Sequence, residues 1–310
     1  MSLALLFPGQ GAQRPNMLHD LPASPAITAV VNESHCEIED LDTVGALAST
    51  VNVQLALLIA GVACARALTE DHGLVPQFVA GHSVGAFAAA VTAGVLTLSE
   101  ALIAVELRGR LMEQTCAQGD WGMAAVSGLP TRTAAEIVRK VATDDDPIWV
   151  ANINSATQTV FSGTASALEA AAEAARRVGA LKYERLSVAV ASHCPIQEDT
   201  ARQMAEHLSQ LPRRQPTARY LTNTRGRATT SAETVLDDLA QAVAHPVQWY
   251  DATRLMAELG VTCAVETPPG QVLTRLLTSA APSVVAIAME DNGLTASVRR
   301  AESTLQAPKR

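Results

Sequence analysis

The stretch VAGHSVGAFAAAVTAGVL, Val79–Leu96, changes character twice within eighteen residues. A short apolar run, QFVAG, leads into the pentapeptide Gly81-His82-Ser83-Val84-Gly85, and an alanine-rich segment follows. The first part predicts a strand and the last a helix. Joining them through so few residues demands a tight turn, and a serine at its apex presents its hydroxyl outward, as in a nucleophile elbow. Ser83 is therefore a candidate nucleophile. The pentapeptide alone leaves open an ordinary serine in a glycine-rich bend.

Working outward, Leu3–Phe7 reads as a short buried strand stopped by Pro8-Gly9. The following loop, PGQGAQRP, lacks the Lys-Ser/Thr ending of a phosphate-binding loop. VNVQLALLIAGVACARAL predicts a long helix packed on more than one side. TLSEALIAVELRGRLMEQ opens with a capping-box pattern, Thr97 and Glu100, and places Glu106, Arg110 and Glu113 on one polar stripe. Arg108 projects instead among Ala101, Ala104, Val105, Leu111 and Met112. A guanidinium on an apolar side needs an internal acid, a snorkelling stem or a bound anion.

From Trp121 to about Ser187 the texture shifts to short strands (GMAAVSG, PIWVANI, QTVFSG, LKYERLSV) and two intervening helices. The order β-α-β-β-α-β is that of a ferredoxin-like unit, inserted between an elbow before it and α/β segments after it. RLSVAVASHCPIQ predicts an apolar strand ending at Ser192-His193. A histidine just past a strand end is a common catalytic position in open α/β sheets, though a packed loop histidine is the plainer reading. YLTNTRGR predicts a strand and turn, AHPVQWYDATRLMAELG an extended segment and helix, and CAVETPPGQVLTRLL a strand, turn and helix. The polar tail after Arg299 is expected to fray.

Composition agrees with an α/β protein. Hydrophobic residues make up 48% of 310 and aromatics only 3%, so the core is built from Ala, Val and Leu. A net charge of −8 argues against general nucleic-acid binding. Two basic clusters (Arg176, Arg177, Lys182, Arg185; and Arg219, Arg225, Arg227) read as solvated faces or as docking sites for an acidic partner. Five scattered cysteines without zinc-type spacing fit reduced thiols. With no basic n-region before the short N-terminal apolar run and no stretch reading as a bilayer span, a cytoplasmic protein is expected.

Six motifs then fall into one order: FPGQGAQ (Phe7–Gln13), GHSVG (Gly81–Gly85), VELRGRLM (Val105–Met112), GMAAV (Gly122–Val126), SHC (Ser192–Cys194) and HPVQW (His245–Trp249). Together they resemble the malonyl-CoA:acyl-carrier-protein transacylases over residues 3 to about 290. The wording LLFPGQGAQRPNMLHDLP and GHSVGAFAAAVTAGVLTLSEAL is most similar to the epsilon subunit of malonate decarboxylase. The resemblance implies an α/β-hydrolase-like large domain (1–121 and 188–310) with an inserted ferredoxin-like subdomain (122–187). It implies Ser83 as nucleophile, His193 as base, the backbone N–H groups of Gln10 and Val84 as oxyanion donors, and Arg108 holding the malonyl carboxylate. The Gln248 carbonyl is expected to orient His193, so no triad Asp is needed. The implied substrate is malonyl-CoA and the acceptor is the thiol of a carrier protein's phosphopantetheine-type arm, in this branch the decarboxylase carrier subunit, with no bound cofactor or metal. Other decarboxylase subunits are possible partners.

The sequence departs from the family at Ala86, where glutamate is usual, and at Thr267-Pro268-Pro269-Gly270, where glycine-proline-glycine is more frequent. Both weaken assignment to fatty-acid synthesis, the first alternative. Val190-Ala191-Ser192 leaves malonyl against methylmalonyl open. Cys194 beside the histidine reads as a small buried residue. A serine esterase shares the elbow but leaves Arg108 unexplained, and a non-catalytic docking subunit leaves Ser83, His193 and Arg108 all unexplained.

Overall fold

The computed structural model describes residues 1–307. Strand β1 (Ser2–Phe7) is buried from Leu3 to Phe7, so its run is continuously apolar. Helices α1 (Pro25–Ser34), α2 (Glu39–Asp42) and α3 (Thr50–Arg66) follow, then β2 (Phe78–Gly81), α4 (Gly85–Thr92) and α5 (Leu98–Thr115). The middle of the chain runs β3 (Trp121–Ser127), α6 (Thr131–Val141), β4 (Ile148–Ser155), β5 (Gln158–Thr164), α7 (Ala165–Arg177) and β6 (Lys182–Arg185). After it come α8 (Glu198–Ser209), β7 (Arg219–Leu221), β8 (Ala228–Thr229), α9 (Ala232–Gln241) and α10 (Trp249–Glu258). The chain closes with β9 (Val261–Glu266), α11 (Val272–Ala280), β10 (Val285–Ala288) and α12 (Met289–Gln306).

Two sheets result. The larger has the order β10-β9-β1-β2-β7-β8 and is parallel except for β8. Leu3, Leu5 and Phe7 face one apolar cluster with α3, α4 and α5; Ala4 and Leu6 face the other, with α10 and α11. That period of two, apolar on both faces, is the mark of a sheet sandwiched between helices. The smaller sheet is antiparallel in the order β4-β5-β3-β6, with α6 and α7 packed on it, which is the ferredoxin-like arrangement.

The stretch Thr50–Asp71, among the described residues the one helix long and apolar enough to cross a membrane, is the central core helix, packed against α1, α4 and α5. The capping box at the start of α5 forms as expected: Glu100 N–H donates to Thr97 Oγ1 and Thr97 N–H to Glu100. Glu106 pairs with Arg110, but Glu113 leaves the stripe and accepts from Ser49 Oγ and from the Thr50 and Val51 N–H groups, capping α3.

Two expectations are corrected. Residues 186–194 form no strand: the Ala191 N–H goes to Cys116 Sγ, that of Ser192 to Ser162 Oγ and that of His193 to the Val243 carbonyl, so no ladder runs through them. The tail after Arg299 does not fray before Gln306, because Leu294, Val298 and Ala301 bury one face of α12.

Helices α3 and α5 meet at Gly109, where an added Cβ would lie 2.9 Å from the Val51 Cα. In an open helix Gly→Ala gains about 1 kcal/mol. Here overpacking costs about 1–3 kcal/mol and reverses the sign. Gly109→Ala should therefore lower Tm by a few degrees in thermal unfolding; a raised Tm contradicts this packing.

Candidate active site

The elbow is built by close contact. A Cβ on Gly81 would sit 2.0 Å from the Gly85 carbonyl carbon, and one on Gly85 would sit 2.2 Å from the Phe7 oxygen. Glycine at both positions lets β2 turn into α4 within three residues, against the end of β1. Ser83 takes up the turn in the left-handed region at φ 54°, a conformation costing about 1–3 kcal/mol for a side chain with a Cβ. The loop after β1 lies on this turn, since a Cβ on Gly9 would meet the His82 carbonyl at 2.4 Å. Among the described residues, neither the Val84 nor the Gln10 N–H has an acceptor within the protein. A free donor next to Ser83 in the chain and a second in a loop that lines the same cavity as Ser83 can receive an oxyanion.

His193 Nε2 lies 2.8 Å from Ser83 Oγ. Its Nδ1 lies 2.5 Å from the Ala242 carbonyl. A carbonyl only accepts, so Nδ1 carries the proton and Nε2 is left to accept from the serine. His193 is also in the left-handed region, at φ 60°, pinned by its own N–H to the Val243 carbonyl. Burial, followed by the positive charge of Arg108, pushes the imidazole down to about 3. The ring is thus neutral at neutral pH, with the Nε2 lone pair free to accept a proton.

The expected Gln248 carbonyl is not the acceptor for this ring. It starts α10 by accepting from the Ala252 N–H, while the Gln248 N–H donates to the Asn223 carbonyl at 2.7 Å. The end of α9 comes closer to the histidine, so Ala242 takes that place.

Arg108 is 2% exposed. Its Nη2 donates to Ser83 Oγ at 3.2 Å and its Nη1 to Gln54 Oε1, on α3, at 2.6 Å. No acidic side chain pairs with it among the described residues. Burial pulls it down to about 10, leaving it charged at neutral pH. The internal-acid reading of Arg108 is thereby excluded, and Ser83, His193 and Arg108 surround one hydroxyl.

A cavity of about 280 Å³ opens onto that hydroxyl. The large layer contributes Gln10, Ser83, His193 and Met112; the small sheet and the crossing segment contribute an apolar wall that includes Met123, Val160, Val188 and Val190. A polar strip faces them, where His82 Nε2 meets Asn154 Oδ1 at 3.0 Å and Asn154 donates to Gln158. Cys194 is buried and its thiol is pushed up to about 12 by burial, so it is no rival nucleophile. Sequence reasoning missed Gln54, Asn223 and Ala242. Gln54 carries a signal, being an amide at the head of the apolar run Leu55–Ala65; Ala242 acts through its backbone and carries none.

The acyl transferase domain family matches residues 4–304. The malonyl CoA-acyl carrier protein transacylase of Escherichia coli is 33% identical over 305 residues, covering 93% of this chain and 98% of the relative. Among solved structures, the corresponding enzyme of Coxiella burnetii superposes with a TM-score of 0.91 at 28% identity, over 98% of each chain. A malonyl-transacylase in complex with its type II PKS acyl-carrier protein gives 0.90 at 31% identity, over 97% of this chain and 100% of that one. The match runs nearly the whole length of a chain in which an imidazole and a guanidinium meet at one serine hydroxyl, and the chain belongs to the malonyl-CoA:acyl-carrier-protein transacylase family of acyltransferases.

Proposed function

We propose that this acyltransferase moves malonyl from malonyl-CoA to the thiol of an acyl-carrier protein through a malonyl-Ser83 intermediate. The observation that carries the reading is the buried Arg108 guanidinium, paired with no acid among the described residues and 3.2 Å from the Ser83 hydroxyl. A malonyl carboxylate supplies the missing charge as a bidentate pair, and an acetyl group does not. Ser83 Oγ attacks the thioester carbonyl carbon while its proton passes to His193 Nε2. The oxyanion is met by the N–H groups of Val84 and Gln10. The carbon–sulfur bond breaks, and His193 returns the proton to the departing CoA sulfur. The carrier's phosphopantetheine-type thiol then repeats the sequence in reverse, giving ping-pong kinetics. No step calls for a metal or cofactor.

We take residues 122–187 as an insertion into a large domain of 1–121 and 188–310. This is supported by the second sheet beginning at Trp121 and ending at Arg185. The sheet brings the apolar wall to the serine.

The finer assignment is that the acceptor is the malonate decarboxylase carrier subunit. Its support is the wording of the glycine loop and elbow, with Ala86 and Thr267-Pro268-Pro269-Gly270 departing from the fatty-acid-synthesis pattern. Relatives bearing fatty-acid or polyketide carriers make those the competing acceptors. Measured with both carriers, kcat/KM should favour the decarboxylase carrier; a preference for the other overturns this part alone.

Labelled malonyl-CoA should leave label on the wild-type protein and none on Ser83→Ala; label retained by that variant ends the reading. Arg108→Ala should cut malonyl kcat/KM about 100-fold or more, the loss of about 3 kcal/mol from a buried charged pair. Acetyl transfer should fall far less.

The pH dependence follows from His193. A base that stays neutral until about pH 3 gives kcat/KM no acid limb between about pH 8 and pH 5. Removing the positive neighbour raises the imidazole, so Arg108→Ala should move the acid limb upward from its wild-type position, while burial, the larger cause, still holds it below the ordinary histidine value. A wild-type limb near the ordinary histidine value contradicts the buried, neutral base.

A further inference from the structure

The main chain on either side of the nucleophile is held by one side chain from a distant part of the sequence. Asn223 Oδ1 accepts from the Ser83 N–H at 2.9 Å, and Asn223 Nδ2 donates to the Gly81 carbonyl at 2.9 Å. These are the bonds that a parallel neighbouring strand would make. In a parallel ladder one residue donates to the carbonyl of i−1 and accepts from the N–H of i+1 on its neighbour. Here i is His82, and the carboxamide stands in for the peptide group.

The substitution occurs where the ladder ends. Strand β2 pairs with β7 in register from Phe78↔Arg219 to Ala80↔Leu221, and no further. Beyond Ala80 the chain must leave the sheet plane to bring Ser83 to φ 54°. A backbone neighbour would hold it in extended geometry; a side-chain amide supplies the same two bonds without imposing a strand. From His82 to Ala86, the N–H groups of His82, Gly85 and Ala86 go to backbone carbonyls and that of Ser83 goes to Asn223. The Val84 N–H is left unengaged, beside the hydroxyl.

Asn223 is itself fixed from three directions. It is 3% exposed. Its N–H donates to Asp238 Oδ2 at 2.8 Å, and its carbonyl accepts from the Gln248 N–H at 2.7 Å. Asp238, buried on α9, also accepts from Tyr220 Oη and from the N–H and Oγ1 of Thr224. An amide so restrained has its rotamer set before any substrate arrives.

We propose that Asn223 is the positioning residue of the elbow: its carboxamide replaces one rung of the sheet, holding Ser83 left-handed with its hydroxyl toward His193 and the Val84 N–H free. The proposal rests on Ser83 being the nucleophile. It does not depend on the acyl group being malonyl.

The test uses the full chain and a fluorophosphonate probe, which needs an activated serine and an oxyanion site but no malonyl-CoA. Burst amplitude reports the fraction of competent molecules, and the rate constant reports the geometry within them. Asn223→Ala should label to full amplitude with a rate constant lowered about 10- to 100-fold. With malonyl-CoA, kcat should fall while KM stays within about twofold, because the cavity walls and Arg108 are untouched. Thr224→Val, which weakens the same carboxylate without touching the amide, should lower Tm and leave the labelling rate unchanged. If Asn223→Ala does not fold, Asn223→Asp carries the test: it keeps an acceptor for Ser83, lacks a donor for Gly81, and should label slowly at full amplitude.

A wild-type rate constant in a folded Asn223 variant overturns the proposal, as does a loss confined to amplitude. Wild-type labelling by the probe without acylation by malonyl-CoA would remove the malonyl reading and leave this one standing. Absence of probe labelling in the wild type removes both.

Discussion

The positive charge of Arg108 lies beside the Ser83 hydroxyl, and among the described residues no carboxylate balances it. Burying an ion in this way costs several kcal/mol even after relaxation, and a single amide oxygen from Gln54 offsets only part of it. The fold must therefore hold the guanidinium in place. Helix α5 is capped by Thr97 and Glu100 at its start, and one turn past Arg108 its Glu113 caps α3. The two helices pack with no room for a methyl group at Gly109. On the proposed function, a carboxylate-bearing acyl group relieves the imbalance when it enters, and selectivity rests on a charge deficit left in the resting protein.

The same guanidinium shapes the base. An imidazole buried beside a cation stays neutral, and its proton sits on Nδ1 because a carbonyl waits there. A triad carboxylate in that place would have stabilised the imidazolium more strongly. It would also have placed an anion close to Arg108, in competition with an incoming carboxylate. A backbone carbonyl orients the ring without that competition. The weaker orienter and the unpaired arginine are two sides of one design.

Much of this was legible in the residues. The pentapeptide between an apolar run and an alanine-rich one located the elbow, and helical spacing alone put Arg108 on an apolar side. The ferredoxin-like order emerged from alternating textures and is present in the sheet. What escaped has common physical causes. Ala242 acts through its carbonyl, which any residue possesses, so side-chain identity could not point to it over Gln248. Asn223 lies 140 positions from Ser83, and its partners are main-chain groups. The tail of α12 looked polar because its exposed face is charged, while three small or apolar residues at helical spacing carry its burial.

The segment 186–194 shows how a pattern can be right and its structural meaning wrong. The apolar run is real, and every second side chain of it, Leu186, Val188, Val190 and then Ser192, lines the cavity. In a sheet, such alternation marks one face packed and the other solvated. Here the chain leaves the small sheet after the Leu186 N–H meets the Met123 carbonyl, presents every second side chain to the site, and from Ala191 to His193 satisfies its backbone through Cys116, Ser162, Gln197 and Val243. It ends in His193. The cavity wall and the imidazole beside the Ser83 hydroxyl are therefore parts of one short tether. A change of bulk at Val188 or Val190 bears on the imidazole's placement as well as on the room for the acyl group. The cavity's shape and its chemistry are thus coupled through covalent bonds as well as through packing.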